Sequence, residues 1–182
     1  MTTASKITII RIIMVPVFMI VLLSGIDHAN TVALIIFILA AITDAIDGYI
    51  ARNYNQITSF GKFIDPLADK LLVTSAILIF VEWGQMPAWA AMIILTREFA
   101  VTGLRLVAVD EGVVIAAGRS GKIKTVVSMV GICFMLLPLH SYDIIGDFLN
   151  VDGLIVLLMV VTTVWSGVEY FVKNRKVFMG NG

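Results

Sequence analysis

Long apolar runs constrain the fold of this chain more than any other feature. Of its 182 residues, 59% are hydrophobic. A soluble core of this length does not need so much apolar surface, whereas a bilayer accounts for the excess. We therefore expect an all-α, polytopic membrane protein with six transmembrane helices, built as a single domain of residues 1–182. The predicted spans are about Lys6–Ser24, Thr31–Asn53, Ser59–Glu82, a span from Pro87 past Leu106, a span opened by Lys122 and Lys124, and Val151–Val172.

The distribution of positive charge predicts how these helices are oriented. All thirteen Lys and Arg residues fall at what would be one side of the membrane. The turns at the other side, residues 24–30, 82–87 and 140–152, contain acids but neither Lys nor Arg. By the positive-inside rule the basic side faces the cytoplasm. We therefore expect a multi-pass protein of the cell membrane with both termini in the cytoplasm.

Four aspartates lie toward the cytoplasmic ends of the second and third predicted spans, among apolar residues: Asp44, Asp47, Asp65 and Asp69. An ionised Asp at the centre of a membrane helix costs about 2.5 to 3.5 kcal/mol, so four uncompensated ones would cost roughly ten. Bound cations would offset this cost. Carboxylates without His or Cys favour Mg²⁺, Mn²⁺ or Ca²⁺ over zinc, and four carboxylates balance two divalent ions.

Helical spacing groups these aspartates with small residues. On the second span one face carries Asp44, Asp47, Gly48, Ala51 and Arg52, and on the third span one face carries Gly61, Asp65 and Asp69. The small side chains leave room for a bulky ligand beside the acids. Two alternatives remain at this point. The acids could form a solvated face with Arg52, Lys62 and Lys70 as partners, or Pro66 could open a new helix with Asp65 as its N-cap.

The fixed gaps between these residues form a recognisable pattern, Asp44-x2-Asp47-Gly48-x2-Ala51-Arg52-x8-Gly61-x3-Asp65-x3-Asp69. At every fixed position this pattern resembles the signature of the CDP-alcohol phosphotransferase family of membrane phospholipid synthases. Three further motifs are similar to those of family members that act on glycerol 3-phosphate. They are Thr96-Arg97-Glu98, Thr102-Gly103-Leu104-Arg105 and Gly121-Lys122-x-Lys124-Thr125.

The resemblance implies an enzyme that transfers the phosphatidyl group of CDP-diacylglycerol to the primary hydroxyl of glycerol 3-phosphate and releases CMP. It implies two metal ions, Mg²⁺ or Mn²⁺, held by Asp44, Asp47, Asp65 and Asp69, with Asp69 as the candidate catalytic base. The lipid donor is then expected to contact Gly48, Ala51, Arg52, Thr58, Gly61 and Arg11. The acceptor phosphate is expected to contact Arg105, Lys122, Lys124, Arg119 and Arg97. The resemblance also suggests a homodimer, and no nucleic-acid motif is visible.

Simpler structural explanations remain for several of these residues. Arg11 could place its charge at the membrane interface by snorkelling, and Thr58 could cap the third helix. Charged residues of the fourth and fifth spans could pair with neighbours or mark the cytoplasmic side: Arg97, Glu98, Arg119, Lys122 and Lys124. Trp165 and Tyr170, toward the inner end of the last span, are expected to anchor it at the interface.

Two other functions compete with this one. A family member with a different acceptor would use inositol phosphate, serine or phosphatidylglycerol, although the basic residues favour a phosphorylated acceptor. A divalent-cation transporter would also place carboxylates within membrane spans. A transporter needs a path that continues outward, yet the outer halves of the predicted spans are almost wholly apolar.

Overall fold

The computed structural model is built from α-helices. It describes residues 3–53, 59–110, 115, 118–137 and 151–175, and this part of the chain contains six helices and no strand. The prediction of an all-α fold is confirmed. The helices are α1 (Thr3–Leu23), α2 (Ala29–Asn53), α3 (Ser59–Glu82), α4 (Ala88–Asp110), α5 (Arg119–Met135) and α6 (Val151–Lys173).

The helix boundaries follow the apolar runs closely. α3 begins and ends at the predicted residues, and α6 ends one residue later than predicted. α5 begins at Arg119, three residues before Lys122, so the basic motif lies within its first two turns. α3 is continuous from Ser59 to Glu82, so a new helix does not begin at Pro66. Asp65 is therefore an interior position of α3 and not an N-cap.

Membrane-spanning character is clearest in α6. Among the described residues, α6 is the one helix that is both long enough and apolar enough to cross a bilayer. The apolar stretches Ile9–Leu23 of α1 and Ala29–Thr43 of α2 are shorter. Six spans with both termini in the cytoplasm therefore stay a prediction.

The chain divides into two compact units. The first contains Met1–Phe80 and Ile132–Pro138, and the second contains Val81–Gly131 and Leu139–Gly182. In the first unit α1 and α2 form a helical hairpin around the Phe18 and Phe37 rings, which lie 6.0 Å apart and are buried. The turn that joins them has Gly25 and His28 at φ values of 63° and 62°, in the left-handed region.

In the second unit α5 and α6 approach each other closely at Gly131. A Cβ atom added to this glycine would lie 3.0 Å from Ile155 Cγ2 and 3.0 Å from Met159 Sδ. These distances are shorter than most contacts of a Cβ atom, so a larger side chain at position 131 requires the Ile155 and Met159 side chains to shift. Gly131 therefore serves packing within one chain. The end of α6 is closed by Asn174, whose Nδ2 donates to the Tyr170 carbonyl oxygen at 2.8 Å.

Candidate functional site

The four aspartates of the predicted metal site lie on two continuous helices. Asp44 and Asp47 belong to α2, and Asp65 and Asp69 belong to α3. Their spacings of three and four residues are therefore helical spacings. The side chains of these residues, and of Gly48, Ala51, Arg52 and Gly61, lie outside the described side chains, and Thr58 lies outside the described residues. The described part contains no group of three or more His, Cys, Asp or Glu that could hold a metal, so the aspartates remain the predicted site.

An ion-paired cluster joins α4 to α5 in the second unit. Glu98 Oε1 accepts a hydrogen bond from Arg97 Nη1 at 3.3 Å and another from Lys124 Nζ. The Lys124 side chain is 3% exposed, the Arg97 side chain 13% and the Glu98 side chain 20%. Two cations thus share one carboxylate out of contact with most solvent, and we call these three residues the Glu98 cluster. The prediction that Arg97 and Glu98 pair with neighbours is confirmed.

Two glycines lie next to Arg97 of the Glu98 cluster. A Cβ atom on Gly167 of α6 would lie 3.3 Å from Arg97 Cγ, which is a tight contact. A Cβ atom on Gly121 of α5 would lie 3.6 Å from Arg97 Nη2. The aliphatic stem of the arginine therefore lies against α6, and its guanidinium lies against α5. Glycine at position 167 lets the stem pack directly on the helix backbone.

Arg105 of α4 lies in a different setting. Its Cζ atom is 5.7 Å from the centroid of the Tyr170 ring of α6, which is the range of a cation–π contact. Tyr170 is buried, with only 7% of its surface exposed. Arg105 Nε and the Tyr170 hydroxyl are both buried, and neither has a hydrogen-bond partner among the described residues. Within the described part of the chain Arg105 has no carboxylate partner, in contrast to Arg97.

The remaining cations of the predicted acceptor site lie elsewhere on α5. Lys122 and Arg119 are exposed, whereas Lys124 is buried. Residues two apart on a helix point about 200° apart, so Lys122 and Lys124 face different directions. The five predicted acceptor residues therefore fall into three groups. Arg97 and Lys124 belong to the Glu98 cluster, Arg105 lies on Tyr170, and Arg119 and Lys122 lie at the surface.

Arg11, in the first unit, is buried and does not snorkel to the membrane interface. This residue of α1 is 1% exposed, so the protein covers its charged head. A snorkelling arginine keeps its head in water or among lipid headgroups. The structural explanation given for Arg11 is therefore wrong, and its role at the lipid donor stays a prediction.

Two features of the second unit were not expected. Tyr170 was predicted to anchor α6 at the interface, but it is buried, whereas Trp165 is half-exposed. The sequence also did not predict that Gly121 and Gly167 would lie next to Arg97. The charge of Arg97 could have indicated this, because an arginine in an apolar helix needs a partner and space for its side chain. Small residues on neighbouring helices can provide that space.

This arrangement can bind an anion at Arg105. A guanidinium offers several donors in a planar fork that suits phosphate or carboxylate. A buried guanidinium nitrogen and a buried hydroxyl are donors that no described residue of the chain satisfies. The Glu98 cluster, in contrast, already contains a carboxylate that balances part of its positive charge.

Comparison with known proteins gives a consistent result. Residues 1–165 match the sequence model of the family described as CDP-alcohol phosphatidyltransferase. A protein of Bacillus subtilis (strain 168) named CDP-diacylglycerol--glycerol-3-phosphate 3-phosphatidyltransferase is 44% identical over 182 residues, which cover 93% of each chain. A protein of Mycobacterium tuberculosis (strain H37Rv) named probable phosphatidylglycerophosphate synthase is 42% identical over 93% of this chain and 80% of its own.

A third relative extends the likeness to another bacterial group. The CDP-diacylglycerol--glycerol-3-phosphate 3-phosphatidyltransferase of Rickettsia felis is 36% identical, and the match covers 94% of each chain. Identity at this level across nearly the whole length, together with the family match, leaves one assignment. The chain belongs to the CDP-alcohol phosphatidyltransferase family of membrane-associated transferases.

Proposed function

We propose that this chain transfers the phosphatidyl group of CDP-diacylglycerol to sn-glycerol 3-phosphate, forming phosphatidylglycerophosphate and CMP. Relatives that are 36–44% identical over more than nine-tenths of the chain carry names for this reaction. The structural observation that carries the choice of acceptor is Arg105, a partly buried cation of α4 without a carboxylate partner in the described part of the chain. Such a group favours a phosphorylated acceptor over serine or a neutral alcohol.

The donor is proposed to bind at the four aspartates. Carboxylates are the hard ligands that Mg²⁺ and Mn²⁺ prefer, and members of this family generally use a divalent metal. Asp44, Asp47, Asp65 and Asp69 would hold two such ions, which neutralise the diphosphate and stabilise charge on the leaving CMP when bound. Gly48, Ala51, Arg52, Thr58, Gly61 and Arg11 would contact the lipid donor.

The reaction is a single displacement at phosphorus. The primary hydroxyl oxygen of glycerol 3-phosphate forms a bond to the phosphorus that carries diacylglycerol, and the bond from that phosphorus to the oxygen of CMP breaks. CMP leaves with the electron pair of that bond. Asp69 would orient the hydroxyl and accept its proton, because an ionised carboxylate accepts hydrogen bonds and can take a proton from a positioned donor.

The acceptor phosphate would be bound by the cations of the second unit. Arg105 supplies a guanidinium fork, and Arg97 and Lys124 of the Glu98 cluster would add positive charge. Arg119 and Lys122 are exposed and would attract the anion from the surface. The Glu98 cluster has a distinct task in this proposal, because Glu98 fixes the positions of Arg97 and Lys124 before the substrate binds. Preorganised charges lose little freedom when the anion arrives.

The proposed setting is a multi-pass protein of the plasma membrane with the reaction at the cytoplasmic face. The one-sided distribution of Lys and Arg supports this orientation. A charged acceptor and a lipid donor must meet at a membrane surface, which also supports it. The chain would act as a single domain and, by family resemblance, as a homodimer.

An acceptor panel tests the proposed function. Purified protein in detergent receives CDP-diacylglycerol and Mg²⁺ with glycerol 3-phosphate, inositol phosphate, serine or phosphatidylglycerol, and the lipid product is identified by mass spectrometry. We expect product with glycerol 3-phosphate at a rate at least tenfold above that with each other acceptor. Equal or faster reaction with serine or phosphatidylglycerol would contradict the assignment.

Variants connect the panel to the site. Arg105→Gln is expected to raise KM for glycerol 3-phosphate by about ten- to hundredfold, because a hydrogen-bonded charge contact is lost. Lys173→Gln is the matched control, since Lys173 is an exposed cation at the end of α6 whose partner is Glu169. The control should leave KM for glycerol 3-phosphate and KM for CDP-diacylglycerol unchanged.

A further inference from the structure

We infer that the Tyr170 hydroxyl is a further binding group for the acceptor phosphate and acts with Arg105. This inference rests on the proposed function and adds a residue to its acceptor site. Tyr170 was expected to be an interface anchor, and the function proposed above gives its hydroxyl no role.

The geometry begins with the ring. Tyr170 is 93% buried, and Arg105 Cζ lies 5.7 Å from its ring centroid. The ring therefore supports the guanidinium and limits the positions that this flexible side chain can take. The backbone under Tyr170 is fixed as well, since Asn174 donates to its carbonyl oxygen through both its backbone nitrogen and its side-chain Nδ2.

The hydroxyl gives the reason for a ligand. Buried tyrosine hydroxyls normally find a hydrogen-bond partner, and the Tyr170 hydroxyl has none within the residues that the structure describes. Arg105 Nε, on the side chain that lies against the same ring, is also buried without a partner. Two neighbouring groups that can donate hydrogen bonds, one of them positively charged, form an arrangement that an oxyanion would satisfy.

The contrast with Arg97 strengthens this inference. Arg97 also lies in α4 and contacts α6, but Glu98 already accepts its hydrogen bond. A purely structural role for Arg105 would favour a similar carboxylate, because an uncompensated buried charge is unfavourable. Arg105 lies on a tyrosine ring instead, and in the described part of the chain no carboxylate balances its charge.

Tyr170→Phe tests this inference, because it removes the hydroxyl and keeps the ring under Arg105. We expect KM for glycerol 3-phosphate to rise about ten- to hundredfold, with KM for CDP-diacylglycerol and kcat within twofold of the wild type. Val172→Ala, at an exposed position of α6, is the control and should change neither KM. A melting temperature within 2 °C of the wild type would show that Tyr170→Phe still folds.

Three outcomes would overturn the inference: an unchanged KM for glycerol 3-phosphate, an equal rise in both KM values, or a rise confined to CDP-diacylglycerol. The last outcome would place the hydroxyl at the diphosphate of the donor. Titration calorimetry of glycerol 3-phosphate into the protein in Mg²⁺-containing detergent gives a second readout that does not need turnover. If the wild type makes no product, the proposed function fails, and about tenfold weaker binding by Tyr170→Phe still decides the role of Tyr170.

Discussion

Replacement of Glu98 by Gln tests the account of the Glu98 cluster most severely. The change keeps the size of the side chain and removes the negative charge that Arg97 and Lys124 share. Gln can still accept one hydrogen bond through its carbonyl oxygen, so the lost quantity is mainly the charge. Lys124 is almost fully buried, and its ammonium group then lies beside a neutral amide.

The magnitude follows from burial and distance. At the 3.3 Å that separates Arg97 Nη1 from Glu98 Oε1, an effective dielectric of 20 gives a gross attraction of about 5 kcal/mol. Desolvation offsets much of this attraction, and loss of one partner from a buried pair costs about 3–5 kcal/mol. Glu98 keeps a fifth of its exposure, so we expect the lower end, about 3 kcal/mol. For a chain of this size that is a fall in Tm of roughly 6–12 °C.

Thermal unfolding of the purified protein in detergent, followed by circular dichroism, measures this fall. Glu169→Gln is the matched control, because Glu169 pairs with Lys173, whose side chain is 67% exposed, whereas that of Lys124 is 3% exposed. Exposed pairs contribute little, so the control should shift Tm by less than about 2 °C. The double variant Glu98→Gln with Lys124→Met should be more stable than the sum of its two single changes predicts.

Equal shifts for Glu98→Gln and Glu169→Gln would refute the reasoning. That result would mean that the Glu98 cluster is solvated like a surface pair. Additive behaviour in the double variant would also contradict it, because additivity means that Glu98 and Lys124 do not interact.

Three further predictions concern packing and chemistry. Gly131→Ala should lower the free energy of unfolding by about 1–3 kcal/mol, because the new methyl group would overlap Met159; denaturation in detergent measures this, and no change would contradict the close approach of α5 and α6. Thr163→Val should raise stability by about 1 kcal/mol, since the Thr163 hydroxyl is buried without a hydrogen bond. Thr162→Val is its control and should give no gain, because the Thr162 hydroxyl donates to a backbone carbonyl oxygen at 2.8 Å. Asp69→Asn should abolish CMP release at an unchanged Tm, and retention of a tenth or more of the activity would exclude Asp69 as the base.

Helix positions were the most predictable part of this molecule. The apolar runs and the polar turns between them place α3 and α6 almost to the residue, because backbone hydrogen bonding in a long apolar run has few alternatives to a helix. Spacing alone also grouped the aspartates on two helices. It could not decide whether α3 continues through Pro66, because proline both ends helices and starts them.

The side-chain partners were less predictable, for geometric reasons. Glu98 and Lys124 are 26 residues apart, and their contact depends on how α4 and α5 pack, which periodicity does not specify. Lys122 and Lys124 looked equivalent in the motif, yet two residues on a helix separate them by more than half a turn. Tyr170 suits either an interface or a buried site, since one end of its side chain is apolar and the other polar. The rotation of α6 about its axis decides whether Tyr170 lies at the interface or in a buried site.

The central claim is that the chain catalyses a metal-dependent transfer in which each phosphatidylglycerophosphate formed is accompanied by one CMP. The most direct measurement follows CMP and phosphatidylglycerophosphate together, from purified protein in detergent with CDP-diacylglycerol, radiolabelled glycerol 3-phosphate and Mg²⁺. The account predicts equal amounts of the two products, and neither product when EDTA removes the metal or when either substrate is omitted. CMP release without the lipid product, or product formation that continues in EDTA, would contradict it.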